Sequence, residues 1–237
     1  MSPHVRHWGL IPAAGVGRRF GATVPKQYLA LAGRPVIDHA VAAFVEHPGV
    51  AGCVVVLGRE DGWWADVSAY AGHPDVLRAP GGAERCHSVR NGLDALAQRA
   101  ADDDWVLVHD AARPCLRRGD LDRLLEALHD EPVGALLAVP IADTVKRAVD
   151  GQVSETIPRS ALWRAYTPQA FRLGLLRRAL DHAESQDLVV TDDASAVELL
   201  GMRPALVECS ADNIKITRPE DLPLAAFFLE QQQETPC

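Results

Sequence analysis

Cysteine is scarce in this chain, and no two cysteines are spaced as CxxC. The 237 residues include five cysteines, an odd number, scattered between positions 53 and 237. Disulfide-stabilised domains carry even, closely spaced cysteines, and cysteine-rich zinc sites carry paired ones. The pattern suits neither a disulfide framework nor a zinc site, and it predicts reduced, mostly buried thiols.

Long apolar runs and an excess of positive charge are also missing. No run of eighteen apolar residues occurs, and the amino terminus has no short apolar core of the signal-peptide kind. The formal net charge of −8 disfavours a binder of duplex nucleic acid or of an anionic membrane surface. We expect a cytoplasmic protein without nucleic-acid or membrane partners, in which any anionic ligand meets a local basic cluster.

The composition is that of an ordinary globular protein, with 48% hydrophobic and 24% charged residues. Short apolar runs alternate with longer segments of helical period, the pattern of βαβ crossovers and a mostly parallel sheet. We expect one α/β domain over residues 1–237. Strands are expected at GLIP, CVVVL, VLRAP, WVLVHD, GALLAVP, 205–209 and the NIKIT segment 213–217, and helices at 35–47, 61–71, 84–100, 120–130, 173–184, 193–201 and from 219.

The pattern changes between residues 141 and 161, where polar and β-branched residues alternate. Asp150-Gly151 is a hairpin signal between two short strands. An arm with so few apolar residues cannot bury itself alone. The sequence predicts a protruding β-arm at about 141–161 that packs on another subunit.

Residues 10–28, LIPAAGVGRRFGATVPKQY, place a glycine-rich turn directly after an apolar run and add Arg19 and Lys26. Glycines let backbone N–H groups approach an anion, and cationic side chains neutralise its charge. A GxxxxGK[ST] loop does not fit, because VGRRFG follows Gly15, and a dinucleotide fingerprint does not fit, because Phe20 stands at its third glycine position. The segment predicts a cradle for a polyphosphate chain.

Polar residues also follow the third and fourth expected strands, in GGAERCHSV and HDAARP. In open α/β sheets, ligands bind at the carboxyl ends of the strands. Asp110 could hold a divalent cation or a substrate hydroxyl there, and capping a helix is the alternative. Arg85 and Ser88 could read a base edge from a helix start, although ordinary capping also explains Ser88. Arg113 either reaches the same cleft or lies on the surface.

Two later segments leave structural and functional interpretations open. Thr191-Asp192-Asp193 has the form of a helix start, with Thr191 as the cap and the acids in the first turn. Lys215 lies in an apolar segment, from which a lysine either points back into the cleft or extends from an edge strand into solvent.

Seven motifs, in their order and rough spacing, resemble the 2-C-methyl-D-erythritol 4-phosphate cytidylyltransferases: PAAGVGRRF with PKQY, GGAERCHSV, HDAARP, DTVKR, TPQAF, TDDAS and ADNIKITRPEDL. The resemblance covers nearly the whole chain. It implies a Rossmann-like three-layer nucleotidyltransferase fold that transfers a cytidylyl group from CTP to 2-C-methyl-D-erythritol 4-phosphate in non-mevalonate isoprenoid synthesis. It also implies release of pyrophosphate, Mg²⁺ as the cofactor, and a homodimer whose β-arms clasp.

Carried over motif by motif, the resemblance implies three groups of site residues. The implied catalytic cations are Arg19, Lys26 and Lys215. The residues implied to bind the nucleotide are Pro12, Ala13, Ala14, Gly15, Gly17, Gly82, Arg85, Ser88 and Ala111. Those implied to bind the methylerythritol phosphate are Asp110, Arg113, Thr144, Arg159, Thr167 and Thr191, with Asp110 also the implied metal ligand and Arg159 reaching the neighbouring subunit's substrate.

Other functions compete with this one. A cytidylyltransferase for another polyol phosphate, such as D-ribitol 5-phosphate, would share the nucleotide half, but HDAARP, DTVKR and TDDAS favour methylerythritol phosphate. A catalytically silent CTP-binding module would be expected to have lost a cation or the aspartate, whereas Lys26, Asp110 and Lys215 are present. A nicotinamide-dependent dehydrogenase is the weakest competitor, because its glycine fingerprint is incomplete.

Overall fold

The computed structural model describes residues 5–15 and 24–234. In these ranges the strands are β1 (His7–Pro12), β2 (Ala30–Leu31), β3 (Arg34–Pro35), β4 (Cys53–Leu57), β5 (Val76–Pro80), β6 (Trp105–Val108), β7 (Gly134–Pro140), β8 (Val145–Val149), β9 (Gln152–Ile157), β10 (Trp163–Arg172) and β11 (Ala205–Glu208). The α-helices are α1 (Val36–Val45), α2 (Trp64–Val67), α3 (Arg85–Leu96), α4 (Arg118–Ala127), α5 (Leu173–Ser185), α6 (Asp193–Glu198) and α7 (Asp221–Glu234). None of these helices is long and apolar enough to cross a membrane.

Seven strands form one sheet in the order β11-β7-β10-β6-β1-β4-β5. Neighbouring strands are parallel except for β10, which is antiparallel to both β6 and β7. The strand order reverses at β1, with β4 and β5 on one side and β6 on the other. The loops that leave the carboxyl ends of β1 and β6 therefore flank a crevice, where ligands bind in sheets of this kind.

Helices cover both faces of this sheet. In β4, Cys53, Val55 and Leu57 belong to an apolar cluster with α1 and α4, whereas Val54 and Val56 belong to a second cluster with α3 and α5. A strand buried on both faces has a continuous apolar sequence instead of an alternating one, as CVVVL does. The expected three-layer α/β fold with a mostly parallel sheet is confirmed.

The antiparallel strand β10 was not expected from the sequence. It lies in the middle of the sheet and contains Pro168, which cannot donate a backbone hydrogen bond and therefore argues against a central strand. The pairing of β10 with β7 shifts register between Ala165 and Gln169, so the proline falls at an irregularity that tolerates it.

The prediction of a helix over residues 61–71 was wrong in its extent, because only the short helix α2 (Trp64–Val67) forms there. The carboxylate of Asp38 accepts hydrogen bonds from Ser68 Oγ (2.6 Å) and from the Ala69 N–H (2.9 Å). These groups therefore bond to a side chain of α1 and not to the carbonyls of a longer helix.

The strand expected at residues 213–217 does not form either. The Ile216 N–H donates to the Ala112 carbonyl (2.8 Å), and the Asn213 side chain donates to the Thr167 carbonyl (2.8 Å). These bonds hold the segment as a loop against the carboxyl end of the sheet, where it brings Lys215 to the crevice.

The hairpin expected between residues 141 and 161 is confirmed. Strands β8 and β9 pair antiparallel in a two-stranded sheet of their own. The turn residues Asp150 and Gly151 have φ angles of 50° and 78°, the conformation that a two-residue hairpin turn requires. The apolar side chains of Val149 and Val153 are 57% and 65% exposed. We refer to β8, β9 and their turn as the arm.

Candidate functional site

A cleft of about 240 Å³ opens at the carboxyl ends of β1, β5 and β6. The loops after these strands form its walls, and two lysines from the segments 24–28 and 213–217 complete it. Its lining residues are Pro12, Ala13, Ala14, Gly15, Lys26, Gln27, Gly82, Ala83, Glu84, Arg85, Ser88, Asp110, Ala111, Ala112 and Lys215.

Most of the site residues expected from the sequence meet in this cleft. Two of the expected catalytic cations, Lys26 and Lys215, lie in its lining together with Asp110. The expected nucleotide-binding residues found in the lining are Pro12, Ala13, Ala14, Gly15, Gly82, Arg85, Ser88 and Ala111. Gly17 and Arg19 lie outside the described residues.

The carboxylate of Asp110 is the meeting point of three cations. Lys215 Nζ lies 2.8 Å from Oδ2, Arg85 Nε lies 3.3 Å from Oδ1, and Arg113 Nε lies 3.7 Å from Oδ2. Burial alone would raise the pKa of the Asp110 carboxyl, but the charges of Arg85 and Lys215 outweigh it and hold the pKa well below its ordinary value. Asp110 is therefore ionised near neutral pH. The alternative role as a helix cap is wrong, because α4 begins only at Arg118.

The Arg85 guanidinium is fixed between two acids. Beside its contact with Asp110, Nη1 and Nη2 lie 3.2 and 2.8 Å from the two carboxylate oxygens of Asp193, whose side chain is almost fully buried. Burial lowers the pKa of Arg85, but the charges of Asp193 and Asp110 outweigh it and raise the pKa above its usual value. The planar, bidentate pair holds the guanidinium in one orientation at the cleft wall.

Asp193 is a site residue that sequence reasoning treated as part of a helix start. The helix is in fact capped by Asp192, whose Oδ1 accepts the Ser195 N–H at 2.9 Å, and not by Thr191. One acid is enough to cap the helix, so the second acid in TDDAS indicated that Asp193 has another partner. Its identity as Arg85 depends on the tertiary structure.

Glycines let the loop after β5 approach the loop after β1. A Cβ on Gly81 would lie 2.2 Å from the Cβ of Ala14, and one on Gly82 would lie 2.3 Å from the Cβ of His87. Ser88 Oγ accepts the Gly82 N–H and donates to the Glu84 carbonyl, both at 3.1 Å. These contacts fix the backbone of the cleft wall.

The segment with Lys26 connects the loop after β1 to the loop that carries Lys215. Lys26 Nζ donates to the carbonyl of Ile216 (3.0 Å), next to Lys215, and Gln27 Nε2 donates to the carbonyl of Ala13 (3.0 Å). Gln27 is a lining residue that sequence reasoning missed, although it follows Lys26 directly in the quoted motif PKQY.

Buried polar groups support the floor of the cleft. His109 donates from Nε2 to the Arg113 carbonyl (2.9 Å), and its Nδ1 accepts from Thr167 Oγ1 (2.9 Å), a tautomer assigned from the hydrogen-bond network. Thr167 Oγ1 in turn accepts the Asp110 N–H at 3.1 Å. Burial lowers the pKa of His109 to about 4, so the ring is neutral at neutral pH. Thr167 therefore contacts Asp110 from beneath the cleft.

Arg113 is also a buried residue beneath the cleft. Its Nη1 donates to the Asn213 carbonyl at 2.7 Å, and its guanidinium carbon lies 4.5 Å from the centre of the Tyr166 ring. The alternative of a surface arginine is wrong, because Arg113 is 9% exposed.

Of the six expected substrate-binding residues, only Asp110 lines the cleft; Arg113 and Thr167 are buried beneath it, and the other three lie outside it. Thr144 and Arg159 lie at the two ends of the arm and are exposed. The Arg159 guanidinium donates to the carbonyl of Ala142. Thr191 is also exposed and contacts Ser195 beside α6.

The cleft offers limited ligands for a metal ion. No group of three His, Cys, Asp or Glu donors converges there among residues 5–15 and 24–234. Mg²⁺ sites in nucleotide enzymes use one or two carboxylates and complete the coordination with substrate phosphates and water. The single buried carboxylate of Asp110 fits such a site, although its cation partners already occupy part of its surface.

The chain matches the family model described as IspD: 2-C-methyl-D-erythritol 4-phosphate cytidylyltransferase over residues 8–231. It is 57% identical over 217 residues to the protein of that name from Pseudomonas putida (strain GB-1), covering 91% of this chain and 92% of the relative. It is 58% identical, with the same coverage, to the one from Pseudomonas aeruginosa. A crystal structure of the Francisella tularensis protein of that name matches with a TM-score of 0.82 and 38% identity, covering 94% of this chain and 99% of that one.

The buried neutral His109 predicts a loss of stability in mild acid. Its pKa is lowered from 6.5 to about 4, so the unfolded chain takes up the proton first. The neutral His109 ring makes its full contribution to the free energy of unfolding above pH 6.5. As the pH falls to about 4, the free energy of unfolding decreases by roughly 3 kcal/mol. Denaturant unfolding at a series of pH values between 7 and 4 measures this effect. The free energy of unfolding should decrease less steeply with falling pH in His109→Gln than in the unchanged protein. Equal pH dependence in the two proteins would contradict the buried, neutral state of His109. His129→Gln, which changes an exposed histidine, is the control.

Proposed function

This chain belongs to the 2-C-methyl-D-erythritol 4-phosphate cytidylyltransferase family, and from that premise we propose that the cleft around Asp110 is its active site. It is a CTP-dependent nucleotidyltransferase that transfers a cytidylyl group from CTP to 2-C-methyl-D-erythritol 4-phosphate in the non-mevalonate isoprenoid pathway. The products are 4-diphosphocytidyl-2-C-methyl-D-erythritol and pyrophosphate. The observation that carries the proposal is the convergence of Lys26, Arg85 and Lys215 with the small residues after β1 in one cleft.

In this proposal the walls made by β1 and β5 bind CTP. Small residues let the backbone N–H groups of the loop after β1 approach the phosphates, while the glycine-lined wall at the start of α3 meets the base. Arg19 and Lys26 would neutralise the triphosphate. The full set that we assign to the nucleotide is Pro12, Ala13, Ala14, Gly15, Gly17, Gly82, Arg85, Ser88 and Ala111.

The chemistry suits a cleft of cations without a general base. The phosphate of the second substrate is already an anionic nucleophile, so the site must bring two anions together and stabilise the charge on the five-coordinate α-phosphorus. A charge pair at 4 Å and an effective dielectric near 20 is worth about 4 kcal/mol before desolvation. Lys26, Arg85 and Lys215 together can therefore offset the repulsion between the substrates.

We propose that Asp110 is the protein ligand of a divalent cation and that this cation is Mg²⁺. The bound ion would neutralise phosphate charge on CTP. Asp110 suits this role because its lowered pKa keeps the carboxyl ionised near neutral pH. Its contacts with Lys215 and Arg85 also keep the carboxylate in a fixed orientation at the cleft.

The methylerythritol phosphate is proposed to lie between Asp110 and residues of a second chain. We assign Asp110, Arg113, Thr144, Arg159, Thr167 and Thr191 to this substrate. Arg159 is exposed and lies two residues after the arm, and an isolated two-stranded hairpin is at best marginally stable in water. The exposed Val149 and Val153 supply apolar surface for a partner. A homodimer in which each arm crosses to the other chain would bury this surface and bring Arg159 to the partner's cleft.

We assign residues 1–237 to one nucleotidyltransferase domain with the arm inserted for dimerisation, working in the cytoplasm without nucleic-acid or membrane partners. All four cysteines in the described ranges, Cys53, Cys86, Cys115 and Cys209, are free thiols, as is usual in a reducing compartment.

The choice of acceptor tests the proposed reaction. Pyrophosphate release with CTP and Mg²⁺ should be about a hundredfold faster, or more, with 2-C-methyl-D-erythritol 4-phosphate than with D-ribitol 5-phosphate at equal concentration. Preference for the ribitol compound would keep cytidylyl transfer and overturn the pathway. Silence with both acceptors, while CTP still binds, would identify a binding module.

Removing either cleft lysine should slow the reaction without unfolding the protein. Lys26→Met and Lys215→Met keep the apolar stem and delete the charge, and each should lower kcat by roughly 10² to 10³, as removal of an oxyanion donor does. Steady-state kinetics with circular dichroism as a folding check measure this effect. The exposed Arg178→Ala on α5 is the charge control and should retain the unchanged rate. Near-normal turnover in both folded lysine variants would refute their role.

Arg159→Ala should weaken binding of the methylerythritol phosphate and leave CTP binding unchanged, because only that substrate lies within the partner arm's proposed reach. We expect KM for the acceptor to rise by about tenfold or more, the cost of one charged contact. Arg147→Ala, which loses only the arm's ion pair with Glu155, is the matched control.

A mixture of two impaired chains, assayed at an acceptor concentration well below KM so that each variant alone is slow, tests whether Arg159 acts across the dimer. Co-refolded Arg159→Ala and Lys215→Met chains would form mixed dimers with one intact site, restoring about one quarter of the activity of the unchanged dimer. Absence of complementation in verified mixed dimers would show that Arg159 does not serve the neighbouring site.

A further inference from the structure

Three chemically different metal donors meet at the start of α3, where Glu84 also borders the cleft of Asp110 and the two lysines, and Cys86 and His87 lie outside it. A carboxylate oxygen of Glu84, the sulfur of Cys86 and a ring nitrogen of His87 lie within 4.8 Å of one another. We propose that these three side chains form a binding site for Zn²⁺. Within the described ranges, this is the one place where three such donors converge.

The donor geometry is close to that of a bound ion. Zinc–sulfur bonds of about 2.3 Å and zinc–nitrogen or zinc–oxygen bonds of about 2.0–2.1 Å in a tetrahedron place ligand atoms about 3.5 Å apart. Cys86 Sγ already lies 3.8 Å from Glu84 Oε2. The remaining separations, at most 4.8 Å, need side-chain movements of only about 1 Å.

The donor types select the ion. A thiolate, an imidazole and a carboxylate are the ligands that Zn²⁺ takes in proteins, whereas Mg²⁺ prefers oxygen ligands alone. On binding, the ion replaces the Cys86 thiol proton, which leaves to solvent, and the sulfur is held as a thiolate. The donor set therefore differs from that of the Mg²⁺ site proposed at Asp110, although Glu84 also lines that cleft.

The surrounding groove favours a cation. The three donors line a groove of about 170 Å³ between α3 and the end of α5, and Glu184 and Asp187 lie on its other side. The groove also contains Arg90, but its guanidinium is paired with Asp94 and Asp181. The carboxylates across the groove thus leave a negative field at the donors, and the volume has room for a water molecule as fourth ligand.

Metal binding would change two local hydrogen bonds. It removes the Cys86 thiol proton, which donates to Glu84 Oε2. His87 Nδ1 accepts the Glu84 N–H at 3.3 Å. Ligation through Nδ1 uses the same lone pair, and ligation through Nε2 moves the ring proton to Nδ1, so either mode breaks this bond. The broken bond is long and hence weak. The ion would take its place in holding the first turn of α3, which carries Arg85 and Ser88.

The test uses the full-length, chelator-treated protein without substrates. Zn²⁺ competition against a chromophoric chelator should give one equivalent bound, and Co²⁺ should give the near-ultraviolet charge-transfer band of a metal–thiolate bond. Cys86→Ser should abolish the band and weaken Zn²⁺ binding by at least tenfold, and His87→Ala should weaken it by a similar factor.

Two matched variants show whether the effect belongs to this cluster. His73→Ala removes a half-buried ring whose Nδ1 likewise accepts a backbone N–H, from Asp75 at 3.2 Å, and should bind Zn²⁺ like the unchanged protein. Cys237→Ser, outside the described residues, should keep the Co²⁺ band. The proposal is overturned if the unchanged protein shows no band, if Cys237→Ser removes it, or if Cys86→Ser binds Zn²⁺ as tightly as before. Because no substrate is present, these readouts do not depend on the cytidylyl-transfer assignment.

Discussion

The ionised carboxylate of Asp110 is the group on which the rest of the site depends. Arg85 from α3, Arg113 from the loop after β6 and Lys215 from the 213–217 loop all lie within 4 Å of it. A buried charge is tolerated only when it is paired, and removing one partner of such a pair typically costs about 3–5 kcal/mol. The acid therefore fixes three separate segments of the chain relative to one another, and it keeps two cations at the surface of the cleft.

The antiparallel strand β10 supports this carboxylate from below. Its Thr167 hydroxyl accepts the Asp110 N–H, and its Thr167 carbonyl accepts from Asn213, whose own carbonyl holds Arg113. Because strand β10 lies between β6 and β7, it reaches the crevice from the side opposite to β1. One strand that breaks the parallel pattern thus connects the floor of the cleft to the loop that carries Lys215.

The acidic chain concentrates positive charge locally, in the cleft proposed for the two anionic substrates. The net charge of −8 is spread over the whole sequence, whereas Lys26, Arg85 and Lys215 are concentrated in one cleft. The acids that face these cations, Asp110 and Asp193, are buried and already paired. The cleft lining carries three cations against two carboxylates, Glu84 and Asp110, so it has an excess of positive charge, which favours phosphate groups at a switch point of a parallel sheet.

The amino-acid sequence by itself determined the alternation of strands and helices, the hairpin turn at Asp150-Gly151 and the segments that line the cleft, because these depend on local periodicity and on glycine's conformational freedom. The motif order also determined the family. The sequence did not reveal β10, the pairing of Asp193 with Arg85, or the loop conformation around Lys215. Each of these depends on hydrogen bonds and ion pairs between segments far apart in the chain, and a proline in β10 gave the opposite local signal. Only the tertiary structure decided them, because a buried charge or backbone N–H finds its partner by proximity in space and not along the chain.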